Sequence, residues 1–309
     1  MIKYLMILLS NKSVSYCQYN AKLDSNAIIS AQTLRKGVLY AMKNNLSVNF
    51  VYPQEALPKE IEKIIESFNN KRIKPFPCVE KADIVVTNGI KEFEKSSNVF
   101  RANTICRLSK REMFDSQNLL CECINRIDRT NLVITDIETF TDNDFDMYKN
   151  ILAFFSEKVD IEKHKINILS DRLQIVEMNN CNAGVNNITL APDGNFYICP
   201  GFYYSNERLN VGNIDSGLNI KNQHLYKIEY APICRHCDAY HCKRCIWLNK
   251  KITLEVNTPS HEQCVVSHLE RNTTRNWLLK HSEKQKDYKD INIKALSYLD
   301  PFDEHKNWK

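Results

Sequence analysis

The chain has 309 residues, enough for one large domain with a smaller one beside it. Hydrophobic residues make up 43%, charged residues 26%, and the formal net charge is +5 with no dense Lys/Arg block; this excludes a disordered chain and gives no basis for a nucleic-acid partner. The opening apolar run stops at Leu9 and meets Asn11 and Lys12 without a small-residue cleavage site, and no later segment approaches the about 20 apolar residues of a membrane helix, so a cytoplasmic protein with no membrane partner is expected.

Residues 2–8, IKYLMIL, predict a buried strand. A helix is predicted over 29–44, where Leu34, Val38, Leu39 and Met42 share a face, and then a strand over 47–52 that Pro53 ends. An amphipathic helix follows over 57–68, a strand over 83–88 and a weaker strand over 99–105. Residues 109–127 predict a helix, 131–138 a strand, 142–158 a helix, and 165–170 a last strand, with 173–178 as a possible extension. Apolar strands alternating with helices imply a parallel sheet covered by helices, and six such units are too few for a closed eight-unit barrel. The expected class is α/β: an open or partial barrel over 1–178, a small cysteine-rich domain over 179–280, and a polar tail over 281–309 that forms a surface helix ending before Asp300.

The chain holds 12 cysteines, and a reducing compartment disfavours disulfides, so clustered thiols point to metal. In 181–199 the turn Pro192-Asp193-Gly194 lies between alternating apolar residues and predicts a hairpin, which would carry Cys199 back toward Cys181. Residues 234–245, CRHCDAYHCKRC, space Cys234, Cys237, Cys242 and Cys245 as C-x2-C-x4-C-x2-C. Packing alone does not explain paired C-x2-C spacing. Ser260 and Gln263 predict a capping box that opens a helix from His261 to about Leu279. Cys264 then falls in its first turn, where the helix end would stabilise a thiolate. A zinc site would use Cys234, Cys237, Cys242 and Cys245, and would leave Cys181, Cys199 and Cys264 unexplained. Iron–sulfur clusters also use cysteines in such dense runs.

Cys181, Gly194-x4-Cys199, the four-cysteine run and the lone Cys264 together resemble the SPASM domain, the C-terminal extension of many radical S-adenosylmethionine enzymes that modify ribosomal peptides. The resemblance covers about residues 178–270 and implies two [4Fe-4S] clusters. By position it implies Cys234, Cys237, Cys242 and Cys264 as ligands of one cluster, and Cys181, Cys199 and Cys245 as three ligands of the other. The family run reads x5 and x3 where this chain has x4 and x2. A fourth ligand to the second cluster is not evident, which implies an iron position open to a substrate cysteine.

The resemblance fails at the barrel. The family's C-x3-C-x2-C after the first strand is replaced by SNKSVSYCQYNAK, with Cys17 alone, and the Gly-Gly-Glu segment after the second strand is absent. Reductive cleavage of S-adenosylmethionine is therefore not expected of this chain alone. SVSYCQY together with the 234–271 stretch resembles the CXXX repeat peptide maturases. That resemblance implies a cysteine-rich precursor peptide as substrate and a complete radical S-adenosylmethionine enzyme as working partner. Two other readings stay open. One is an independent peptide-modifying enzyme, with Cys17 and Asp136 as candidate catalytic residues at strand ends. The other is a zinc-binding structural adaptor. Asp136 and Glu138 read equally as helix caps or solvated strand ends, and His236 and His241 as groups that tune a cluster or lie on the surface.

Overall fold

The structure is a computed structural model that describes residues 2–21, 23, 27–178, 181–205, 207, 209–281, 288 and 290–305. In chain order its elements are β1 (Tyr4–Leu8), α1 (Ala31–Lys43), β2 (Ser47–Val51), α2 (Lys59–Glu66), β3 (Lys71–Pro75), β4 (Ile84–Asn88), α3 (Ile90–Val99), β5 (Asn103–Leu108), α4 (Lys110–Asp115) and α5 (Gln117–Ile124). Then come β6 (Arg129–Ile134), α6 (Asp142–Lys158), β7 (Lys165–Ile166), α7 (Asn167–Gln174), β8 (Asn187–Leu190), β9 (Asn195–Tyr197), α8 (Pro200–Tyr204), β10 (Asn210–Asn213), β11 (Gly217–Leu218), α9 (Ile246–Thr253), α10 (His261–His281) and α11 (Pro301–His305). The architecture is mixed α/β.

Two compact units are interleaved along the chain: residues 1–87 with 182–227, and residues 88–181 with 228–309. This departs from the consecutive division into 1–178, 179–280 and 281–309. The reason lies in the first unit. There β2, β3 and β4 follow β1 in parallel, and β8 pairs with the other side of β1, also in parallel, setting Tyr4 opposite Asn187 and Ile7 opposite Leu190. Ile188 and Leu190 are wholly buried by that pairing, so the hairpin expected in a separate domain belongs to the core of the first unit. The β8–β9 hairpin turns on Gly194 at φ 80°, a conformation open to glycine at no cost. Gly37 lets α1 close on this sheet: a Cβ there would stand 2.5 Å from the Leu190 side chain.

Strand β3 has no counterpart among the predicted elements. Its sequence KRIKP buries only Ile73 and Pro75, so no continuous apolar run marks it. The first half consequently holds seven strands where six were expected. The weak strand over 99–105 proves to be the end of α3 followed by β5, and the helix over 109–127 breaks at Ser116 into α4 and α5. The last predicted strand keeps only Lys165 and Ile166; α7 takes over from Asn167, and Ser170 Oγ caps the junction on the Ile166 amide at 2.9 Å. Helix α7 is buried from Asn167 to Leu173, so periodicity could not separate it from a buried strand.

In the second unit β5, β6 and β7 are parallel, and β6 keeps full register with β5. Helices α6 and α7 both pack against α10. Helix α6 spans the residues predicted for it, opened by a capping box in which Thr141 and Asp144 satisfy each other's amides. Where a surface helix was expected before Asp300, the described residues 291–299 are not helical. They run along α10: Arg275 Nε donates to the Ile293 carbonyl at 3.0 Å, Arg271 donates to the Lys294 carbonyl at 2.7 Å, and Ile293 is buried. Residues 282–287, 289 and 306–309 of that tail lie outside the described residues.

Arg271 itself is wholly buried and grips Asp238 with two guanidinium nitrogens, the second at 2.6 Å. Removing one member of a buried charge pair leaves the other uncompensated. Arg271→Met should therefore destabilise the second unit by about 3–5 kcal/mol, read as a fall in the urea midpoint, with Asp238→Asn milder because the amide still accepts a hydrogen bond.

Candidate metal centre

The cysteine run begins as a tight turn. Cys234–His236 is one 3-10 turn, and the Cys237 amide bonds the Cys234 carbonyl at 3.1 Å, which sets the two thiols of the first C-x2-C pair on one side. Two sulfurs then accept amides two residues ahead: Ala239 N–H to Cys237 Sγ and Arg244 N–H to Cys242 Sγ, each at 3.4 Å. The second bond needs Arg244 in the left-handed region, at φ 42°, a strained place for a side chain of that size. Ser267 adds a side-chain hydrogen bond to Cys242. Amides aimed at sulfur stabilise a thiolate over a thiol, because the N–H dipole meets the negative charge.

Cys264 comes from α10, whose N-terminus Ser260 caps at the Gln263 amide, 3.3 Å away. Only half the expected capping box forms, because the Gln263 side chain turns to Asn249 at 2.9 Å. Cys234, Cys237, Cys242 and Cys264 all line one small cavity, together with Met178, Gln263, Ser267 and His268. Cys245 stands elsewhere, at the N-terminus of α9 against the main core of the second unit. Cys181 belongs to the second unit and lies near enough to Arg244 to interact with its charge, while Cys199 belongs to the first, at the N-terminus of α8.

Electrostatics differ from the expectation for Cys264. Burial, then the neighbouring thiols, push its pKa well above the ordinary range, so the helix end does not prevail. Burial also pushes Cys234 and Cys237 up to about 12, and raises Cys242. Without metal these thiols stay protonated at neutral pH.

Does this set fit a metal? Among the described residues, no three His, Cys, Asp or Glu side chains stand in a geometry that already holds an ion. The donor chemistry does fit: four thiols, amides directed at sulfur and no carboxylate in the lining suit zinc or an iron–sulfur cluster. The cavity is about 20 Å³, room for one water-sized body.

Beside this cavity lies a pocket of about 450 Å³, in the range of small-ligand sites. Cys237 and His268 line both. Its other walls include Arg172, Tyr240, Lys294 and the exposed His236, and Arg172 stacks 4.5 Å from the Tyr240 ring centre. His241, in contrast, is buried on Glu270, Nε2 to Oε2 at 3.0 Å, and Glu270 also accepts the Tyr148 hydroxyl at 2.5 Å. That arrangement serves packing of the run against α10.

The remaining candidates are apart from the thiols in role. Asp136 accepts the Lys110 amide at 2.8 Å and so caps α4, and Glu138 pairs with Lys251. Cys17, half-buried in the first unit, lies in a loop pinned to β2 by the Ser13 hydroxyl on the Val51 carbonyl at 2.7 Å. Tyrosines surround it: Tyr16 meets Tyr19 edge-on, and Tyr19 stacks on Tyr204 at 5.5 Å. His268 was not singled out from sequence. The signal that could have found it is its place four residues after Cys264 on a predicted helix, hence on the same face.

No family model matches the chain, and no curated protein matches it. Among solved structures, it is similar to Streptococcus suis SuiB bound to precursor peptide SuiA, at 12% identity, 85% of this chain, 76% of that one and a TM-score of 0.47. It is also similar to BtrN in complex with AdoMet and 2-DOIA, at 11% identity, 98% of each chain and a TM-score of 0.26. Neither score reaches 0.5.

The raised thiol pKa values make a linkage prediction for the metal-free protein. Their folded values exceed the unfolded value of about 8.5, so their contribution to stability is whole below that pH and is lost as pH rises toward about 12. The urea midpoint should fall between pH 8 and pH 10.5. Cys237→Ala should flatten that fall.

Proposed function

We propose that this chain is a thiolate metal-centre protein that takes part in maturing a cysteine-rich ribosomally synthesised peptide. The carrying observation is the cavity lined by Cys234, Cys237, Cys242 and Cys264, the same four residues that the resemblance to SPASM domains groups on one cluster. In this reading the centre is [4Fe-4S], and Cys181, Cys199 and Cys245 supply a second cluster with one iron open to a substrate thiol. The loop after β1 carries Cys17 alone where three cluster cysteines would be needed. Radical chemistry on S-adenosylmethionine therefore falls to a separate enzyme, with this chain presenting the peptide or conducting electrons. A consecutive SPASM-like segment over 179–280 and a degenerate barrel over 1–178 remain part of this proposal, as does a cytoplasmic location.

One observation favours a second reading. The cavity that the four thiols line is small, about 20 Å³, which favours a single zinc over a cluster and with it a structural or adaptor role.

Metal and acid-labile sulfide content of protein purified without oxygen separates the readings. Two clusters give about eight irons and eight sulfides per chain with broad absorption near 400 nm. Stoichiometric zinc without sulfide selects the adaptor, and a metal-free, colourless protein contradicts both. A peptide with cysteine at every fourth residue should bind more tightly than its serine analogue in calorimetry; equal affinities count against recognition through thiols.

A further inference from the structure

Arg172 lies in the last turn of α7 and is 5% exposed. Its Nε is enclosed with no hydrogen-bond partner. The carboxylate paired with it is Asp238, whose Oδ2 stands 3.7 Å from a terminal nitrogen, beyond hydrogen-bond distance. That carboxylate is already taken, because Arg271 holds both of its oxygens. Two guanidiniums thus share one carboxylate, and one positive charge is left over. A guanidinium cannot shed its proton to remove that charge. Tyr240 covers one face of Arg172, 4.5 Å from the ring centre, and the ring face supplies no acceptor for the N–H groups in the guanidinium plane.

Arg172, Asp238 and Tyr240 all line the pocket of about 450 Å³, so the surplus charge sits at its wall. Lys294 adds an exposed cation to the lining, and the carboxylates of Asp238 and the exposed Asp290 lie there too. Those carboxylates oppose a doubly charged anion more than a singly charged one. Leu173, Ile175 and Val176 make the same wall apolar, and Val176 is 83% exposed. A carboxylate suits the planar fork of an arginine, and an apolar body attached to it would cover the exposed valine.

We propose that this pocket binds a carboxylate carried on an apolar body, with Arg172 as its seat and Lys294 as its support. A peptide offers that group at an apolar C-terminal residue or at an acidic side chain. The choice of a peptide as carrier rests on the proposed function; the carboxylate seat does not, since it uses none of the thiols. Cys237 lines the pocket as well, so a peptide anchored on Arg172 brings its neighbouring residues to the edge of the thiol cavity.

The test is calorimetry on the full chain purified without oxygen, with three probes: acetyl-Leu-Leu as the free acid, the same dipeptide as its amide, and acetyl-Leu-Glu with an amidated C-terminus. A carboxylate-bearing probe should bind at least about tenfold more tightly than the Leu-Leu amide, and Arg172→Gln should abolish that preference. Lys294→Ala, a substitution at an exposed side chain, should weaken the acid about two- to fivefold, and it reports on the site even where the Arg172 variant does not fold. Preference for the free acid assigns the seat to a C-terminus, and preference for the glutamate probe assigns it to a side chain; either sustains the proposal. Equal affinity for acid and amide, or no binding of any probe, overturns it. So does displacement of the acid by an equal concentration of inorganic phosphate, or a folded Arg172→Gln protein that still prefers the acid. Metal and sulfide content does not enter these outcomes, so the pocket can fail while the thiol centre stands, and the reverse.

Discussion

Arg271, wholly buried at the middle of α10, carries a charge met by the Asp238 carboxylate, with hydrogen bonds also to the Lys294 carbonyl and to Asn272 Oδ1. A guanidinium cannot shed its proton to escape burial. The cysteine run must therefore bring Asp238 to it, and the chain after α10 must return to offer a carbonyl. One constraint thus sets three segments: α10, the 234–245 run and the 291–300 return. Asp238 follows Cys237 directly, so its anchoring also fixes where Cys237 stands. One and two turns back along α10, His268 and Cys264 line the same cavity.

The thiol cavity is then a balance between burial and charge. Burial first, and neighbouring thiols and carboxylates after it, favour the neutral form of all four thiols, with Cys234 and Cys237 raised to about 12. The amides of Ala239 and Arg244, aimed at sulfur, are of little use to a neutral thiol and of much use to a thiolate. Burial and these hydrogen bonds thus act in opposite directions on the charge of the thiols. One of those bonds comes with Arg244 in the left-handed region, a strained place for a side chain of that size.

Much of this was legible in the sequence, for local reasons. Helix α6 announces itself through its capping residues and apolar spacing, and the β8–β9 hairpin through Asp193-Gly194. Helix α10 was readable from Ser260 onward, and the four cavity cysteines through their spacing and the resemblance it supports. What stayed hidden depends on distant partners. The pairing of β8 with β1 joins residues about 180 apart, and no local pattern encodes it. Strand β3 is masked by Lys71, Arg72 and Lys74. The protonation of Cys264 was misjudged because a helix terminus was weighed without the burial around it. Asp136 reads from sequence either as a strand-end site residue or as a helix cap, and its carboxylate accepts the Lys110 amide.

The central claim is that Cys234, Cys237, Cys242 and Cys264 act as one metal-bound set. Quantitative alkylation of the protein purified without oxygen, with peptide mass spectrometry before and after chelator treatment, tests it most directly. The account predicts that these four thiols are protected together and become reactive together when metal is removed, while Cys78 labels at the same rate in both states. Four thiols whose labelling rates are independent of one another, and unchanged by the chelator, would contradict it.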